Sequence, residues 1–127
     1  MYKGKSMAKI LLIDDQPHMG ELMASLFLQE GHVVSCVANR EGARKCLKDS
    51  DLDLVLLDLY LDGFEGWDLL THIKTVKPDL PVIIVTAYDS YKEDPRVSLA
   101  DGYVVKSFSN LDRLKQKISH VLEAQNG

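Results

Sequence analysis

The chain has 127 residues, 46% of them hydrophobic, with a formal net charge of −4 and a pI near 5.5. That length supports one compact domain with a sizeable core and leaves no room for a second. Lysine and arginine are scattered with no clustered stripe, which argues against direct nucleic-acid binding. No apolar stretch approaches the roughly 20 residues that cross a bilayer, so no membrane association is expected either.

Met1 to Ser6 lack the apolar core of a signal peptide, so a cytoplasmic address is expected, and residues 1–7 read as a leader ahead of a domain over 8–124. Residues 8 to 13 predict a first strand. Pro17 then suits a helix's first turn, and Met19, Leu22, Met23, Leu26 and Phe27 recur at helical spacing until Gly31. Val33 to Val37 predicts a second strand, Asn39 a helix cap, and Ala43, Cys46 and Leu47 the buried face of a short helix. Leu54 to Leu57 is apolar throughout, as a central parallel strand covered on both faces should be. A loop from Asp58 to Gly66 leads to a helix with Trp67, Leu70, Ile73 and Val76 inward, stopped by Pro78. Pro81 opens a fourth strand.

Between Thr86 and Lys106 the pattern weakens: Tyr88 to Glu93 is polar, and only Pro95 to Ala100 suits a short helix before Gly102 begins the last strand. Ser109 with Asp112 resembles a capping box for a final helix whose stripe is Leu111, Leu114, Ile118, Val121 and Leu122. Residues 125–127 form a tail. Cys36 and Cys46 lack Cys-x-x-Cys spacing and are expected to be small buried hydrophobes. His18, His32, His72 and His120 are dispersed, without the i, i+4 pairing of a zinc site, and are expected at the surface or its boundary.

Five strands alternating with five helices imply an α/β fold with a parallel sheet, in which ligands gather beyond the carboxyl ends of the strands. The apolar runs end on reactive groups: Asp14-Asp15, Asp58, Thr86 and Lys106. If the first and third strands are adjacent, three carboxylates share one pocket. Two unit charges about 4 Å apart at an effective dielectric near 20 repel by about 4 kcal/mol, so the trio must take up a proton, bind a cation or pair with Lys106. An all-oxygen donor set favours a hard ion, Mg²⁺ over Zn²⁺.

These motifs together resemble the receiver domain of two-component response regulators over nearly all of residues 8 to 124. They are Leu-Leu-Ile-Asp14-Asp15, Leu-Leu-Asp58 with Gly66 eight residues on, Val-Thr86-Ala87, and Tyr103-Val-Val-Lys106 followed by Phe108. The resemblance implies a doubly wound, flavodoxin-like five-stranded sheet of order 2-1-3-4-5 with helices on both faces. It implies that Asp58 accepts a phosphoryl group from a histidine kinase or phosphotransfer protein, forming an acyl phosphate. Asp15, Asp58 and the Tyr60 carbonyl would hold Mg²⁺, and Asp14 would act through a bound water. Lys106, the Thr86 hydroxyl and main-chain amides near Leu59 and Ala87 would stabilise the transferring group. Such a protein is a phosphoacceptor that assists its own modification, not a turnover enzyme. Its downstream partner would be an output domain or protein.

The same resemblance makes Tyr103 a switch residue that turns inward as Thr86 moves, and places His18 near a docking phosphodonor helix. A homodimer through the fourth helix, fifth strand and fifth helix is compatible with the pattern. Three positions depart from it: Ser107 replaces the usual proline after the lysine, Asp62 replaces a proline in the phosphoacceptor loop, and Thr86 and Lys106 are closer in sequence than usual. Bulky Tyr60 and Tyr88 flank the path of an attacking water, predicting slow hydrolysis of the acyl phosphate. Two alternatives remain: a Mg²⁺-dependent phosphatase with an aspartyl nucleophile, whose Asp-x-Asp spacing Asp14-Asp15-Gln16 does not meet, and a receiver that only binds protein.

Overall fold

The computed structural model describes residues 7–61, 64–87, 90–106 and 111–126. Asp62, Tyr88, Ser107, Phe108, Ser109, the first six residues and the Met19 side chain lie outside the described residues, and with them the Lys106–Ser107 bond and the capping box.

The expected alternation is present. Strand β1 (Lys9–Ile13) leads to helix α1 (Pro17–Gln29), strand β2 (Val33–Val37) to helix α2 (Arg40–Cys46), and strand β3 (Leu54–Leu57) to helix α3 (Trp67–Val76). Within the loop before α3, two-residue strands β4 (Tyr60–Leu61) and β5 (Phe64–Glu65) pair as a small antiparallel ribbon where the sequence suggested only a loop. Strand β6 (Val82–Thr86) and strand β7 (Gly102–Val105) complete the main sheet, and helix α4 (Leu111–Asn126) closes the fold. The main sheet is parallel in the order β2-β1-β3-β6-β7, which is the expected doubly wound 2-1-3-4-5 when its five strands alone are counted.

Alternation along the strands divides the core in two. Leu11, Ile13, Val55, Leu57, Val82 and Ile84 face α2 and α3, meeting Ala43, Leu47, Leu69, Leu70 and Ile73. Their neighbours Ile10, Leu12, Leu54, Leu56, Ile83 and Val85 face α1 and α4, meeting Met23, Phe27, Leu114 and Ile118. Burial on both sides explains why β3 and β6 carry no polar residue before their last position. Asn39 caps α2, its Oδ1 accepting the Gly42 N–H at 2.8 Å.

Several expectations are corrected. Of the five helices, four are α-helices among the described residues; the fourth in chain order is instead a pair of 3₁₀ turns, Ser90–Glu93 and Pro95–Leu99. Neither turn has a buried residue to anchor a longer helix. Val76, expected inward, is 52% exposed, whereas Leu69 is buried. The buried face of α3 is centred on Leu69, Leu70 and Ile73, which span about 100° of the helix, and Val76 is its last residue. Cys36 is exposed because β2 is an edge strand, and Cys46 is half-buried. His32 is buried, its Nδ1 accepting the Ala8 N–H at 3.2 Å, and the desolvation holds its pKa below the ordinary histidine value.

Candidate functional site

The strand ladders run up to the reactive residues. Ile13 pairs with both Val37 and Leu57, the Asp14 N–H donates to Val37 O at 3.0 Å, and the Asp58 N–H donates to Ile13 O at 2.9 Å. Asp14 and Asp58 therefore leave the sheet at the same level on adjacent strands. On the other side, Thr86 ends β6 fully buried, and its carbonyl accepts the Lys106 N–H at 2.6 Å. The sheet register alone thus gathers residues separated by up to 92 positions.

Lys106 organises the charges. Its Nζ donates to Asp14 Oδ2 at 2.8 Å, to Asp58 Oδ2 at 3.0 Å and to Gln16 Oε1 at 3.1 Å, using all three ammonium donors. The other oxygens of the two carboxylates meet main-chain donors: Asp14 Oδ1 accepts the Gln16 N–H at 2.8 Å, and Asp58 Oδ1 accepts the Tyr60 N–H at 3.1 Å. The side chains are 4% exposed for Lys106, 1% for Asp14 and 7% for Asp58, so the ion pairs are shielded from water. Burial raises the Asp58 pKa above the ordinary carboxylate value, against the opposing pull of Lys106. Burial also works against the charged Lys106, but its hydrogen bond to Asp14 and the charges of Asp58 and Asp14 outweigh it and raise its pKa. Lys106 is therefore cationic at neutral pH.

One carboxylate oxygen from each of Asp14, Asp15 and Asp58 lies within 4.8 Å of the other two, with Asp15 the half-exposed member. Fully ionised, three carboxylates against one ammonium leave two negative charges, so the cluster has both the donors and the charge deficit to hold a hard divalent cation. Gly66, eight residues after Asp58, lies buried against this loop: a Cβ there would sit 3.1 Å from Asp58 O, and its N–H donates to Leu59 O. Glycine is needed for that close approach.

Tyr60 is 45% exposed at the mouth of the site. Tyr103 is half-buried and packs against the α2–α3 face of the core, and His18 is exposed on α1. Gln16, a ligand of Lys106 and an N–H donor to Asp14, was not singled out from the sequence, since a loop glutamine carries no periodic signal. A cavity of about 350 Å³ opens beside Asp14 and Asp15, between α1 and the end of β2.

Comparison with known proteins identifies the family. The family model for the response regulator receiver domain matches residues 10–119. The chain is 39% identical over 104 residues to the transcriptional regulatory protein HprR of Escherichia coli, covering 80% of this chain and 46% of that protein. It is 33% identical over 110 residues to TcrA of Mycobacterium tuberculosis, covering 84% and 42%. The chain thus spans less than half the length of these relatives. Among solved structures it superposes on the response regulator TrrA of Thermotoga maritima in complex with Mg²⁺ and beryllium fluoride. The TM-score is 0.85 at 38% identity, over 91% of this chain and 100% of that one. TrrA in complex with the histidine kinase ThkA matches with a TM-score of 0.84 at 38% identity, over 91% and 99%. The chain belongs to the response regulator receiver domain family and is the receiver domain of a two-component response regulator.

Proposed function

We propose that this receiver domain accepts a phosphoryl group on Asp58 from a histidine kinase or phosphotransfer protein in the cytoplasm, with Mg²⁺ as cofactor, and passes the signal to a downstream output domain or protein. The observation that carries the reading is Lys106 Nζ bridging Asp14 and Asp58 beside a third carboxylate within 4.8 Å. Burying such a cluster is costly, and charged groups held this way gather at functional sites. The complex of TrrA with the kinase ThkA and its complex with Mg²⁺ and beryllium fluoride support the same partner and cofactor.

Asp15, Asp58 and the Tyr60 carbonyl would hold the cation, with Asp14 acting through a water. When bound, Mg²⁺ supplies positive charge to the phosphoryl oxygens and neutralises the acidic trio. An Asp58 carboxylate oxygen forms the new bond to phosphorus as the bond from phosphorus to the donor's imidazole nitrogen breaks, and the electron pair leaves with the imidazole. The burial that raises the Asp58 pKa also makes its anion a better nucleophile. Lys106 releases Asp58 Oδ2 and takes a phosphoryl oxygen, and the Thr86 hydroxyl, at the end of the adjacent strand, donates to another. Tyr103 follows Thr86 inward as the switch. Tyr60 crowds the approach of water and prolongs the acyl phosphate.

Incubation with acetyl phosphate and Mg²⁺ followed by intact mass tests this reading. Addition of one phosphoryl group, absent in Asp58→Asn, is expected. Sustained turnover of phosphoesters would instead support a phosphatase, and an unmodified chain would support a receiver that only binds protein.

A further inference from the structure

The main sheet ends in two unlike edges. The β7 edge is guarded by charge: Asp101 and Lys106 bracket the strand, and the Lys117 stem lies across Gly102, where a Cβ would meet Lys117 Cε at 2.7 Å. At the other end of the sheet, β2 reads Val-Val-Ser-Cys-Val, with no charge and no proline. Its Val33, Ser35 and Cys36 are exposed. Of the six large hydrophobic residues exposed among the described residues, three gather where β2 begins: Met7, Leu28 and Val33. There the Gly31 N–H donates to Leu28 O and the Val33 N–H to Ala8 O. A sheet edge without protecting charges, beside an apolar patch, is a surface for strand addition.

The ladder to β1 fixes what this edge offers. The Val33 N–H donates to Ala8 O at 2.9 Å and Val37 O accepts the Asp14 N–H at 3.0 Å, so Val33, Ser35 and Val37 turn their main-chain groups inward. By alternation, those of Val34 and Cys36 face outward. Two outward residues on either side of Ser35 make a self-complementary unit. About a two-fold axis at Ser35, Val34 lies opposite Cys36 of a second copy, and each such pair exchanges both main-chain hydrogen bonds. An uncharged strand meets no repulsion from its own copy, whereas a charge near the axis would face its like. Beside the strand, the cavity of about 350 Å³ is walled by Gly20, Ala24, Cys36 and Val37, with Cys36 Sγ 3.6 Å from Gly20 O. Val34 packs on the same α1 face as Cys36, so it is the side chain that a second copy brings to that wall.

We propose that two copies of this chain join through β2, antiparallel about Ser35, so that their main sheets become one continuous sheet. The contact lies at the opposite end of the sheet from β7 and α4. It needs no phosphoryl group, so it stands apart from the phosphoacceptor reading above. Two hydrogen-bonded pairs and a small apolar contact make a dimer that forms and separates with concentration, not an obligate one.

Sedimentation velocity of the full chain under reducing conditions tests this. The weight-average mass should climb with concentration toward twice that of one chain. Ser35→Lys, a change at an exposed side chain that sets like charges opposite each other, should stay monomeric with an unchanged melting temperature. Disulfide trapping reads the register. In the non-hydrogen-bonded pair at position 35 the Cα atoms stand about 4.5 Å apart, so the double variant Cys36→Ser/Ser35→Cys should crosslink rapidly under mild oxidation. Wild-type Cys36 stands diagonal to its copy and should crosslink several-fold more slowly. A monomer at every concentration overturns the proposal. So does assembly that Ser35→Lys leaves intact, which would place the contact on another face. Faster crosslinking through Cys36 than through position 35 overturns the pairing about Ser35.

Discussion

The two crossovers that leave the central strands start alike and end differently. After β3 the chain turns through Asp58, forms a tight ribbon and enters a ten-residue helix with four buried side chains. After β6 it turns through Thr86 into two 3₁₀ turns with none. Both strands are equally buried, so the sheet does not make the difference. It lies in how much apolar surface the following segment has to bury: α3 carries a stripe, while residues 90–99 carry mainly Val97 and Tyr91, half-buried against the core. A rigid crossover fixes the phosphoacceptor and a thinly attached one lies beside it, a division suited to a site that must be precise and a surface that must respond.

The largest effect that would break this comparison is on the rigid side. Asp58→Asn should abolish phosphorylation by acetyl phosphate, read by intact mass. Next comes Lys106→Met, which leaves Asp14 and Asp58 facing each other in a shielded pocket. Loss of one partner of a buried pair costs about 3 to 5 kcal/mol, so urea denaturation without divalent ions should show a loss of that order. Millimolar Mg²⁺ should restore part of it, and an equal loss with and without Mg²⁺ would mean the carboxylates do not share a cation. Gly66→Ala should cost about 1 to 3 kcal/mol in the same assay and slow phosphorylation, because a Cβ would press on Asp58 O.

A smaller effect concerns pH. The folded-state pKa of Asp58 is raised, so the folded protein holds that proton more tightly than the unfolded chain does. Stability is then lost as pH climbs from the ordinary carboxylate range through the raised value. Metal-free Asp58→Asn should therefore melt a few degrees above wild type at pH 7 and converge with it in acid, as followed by thermal melts across pH. Lys106, also raised, contributes stability that is present below its ordinary pKa and lost only in strong alkali. The smallest expected change is at the mouth: Tyr60→Asn should speed dephosphorylation several-fold, and an unchanged decay rate would remove its shielding role.

How far these features are legible in the sequence depends on whether their cause is local. A strand buried on both faces must be apolar at every position, so Leu54 to Leu57 and Val82 to Val85 announce themselves, and the reactive residue at each strand end follows. Asn39 likewise shows its role in its immediate neighbours. Position within the sheet is not local: Val-Val-Ser-Cys-Val reads like any strand, and only the strand order makes it an edge that exposes Cys36. Lys106 with Gln16, Trp67 with Arg96, and Ala8 with His32 are partnerships across 24 to 90 residues, set by packing. The ribbon around Tyr60 and the 3₁₀ turn over Ser90–Glu93 were invisible for another reason, being too short to carry a period.

The most direct test of the account maps the acyl phosphate itself. After phosphorylation with acetyl phosphate and Mg²⁺, borohydride reduces an aspartyl phosphate to homoserine, and peptide sequencing by mass spectrometry locates it. The account predicts homoserine at position 58 and nowhere else; homoserine at Asp14 or Asp15, or none in a chain that has gained a phosphoryl group, would contradict it.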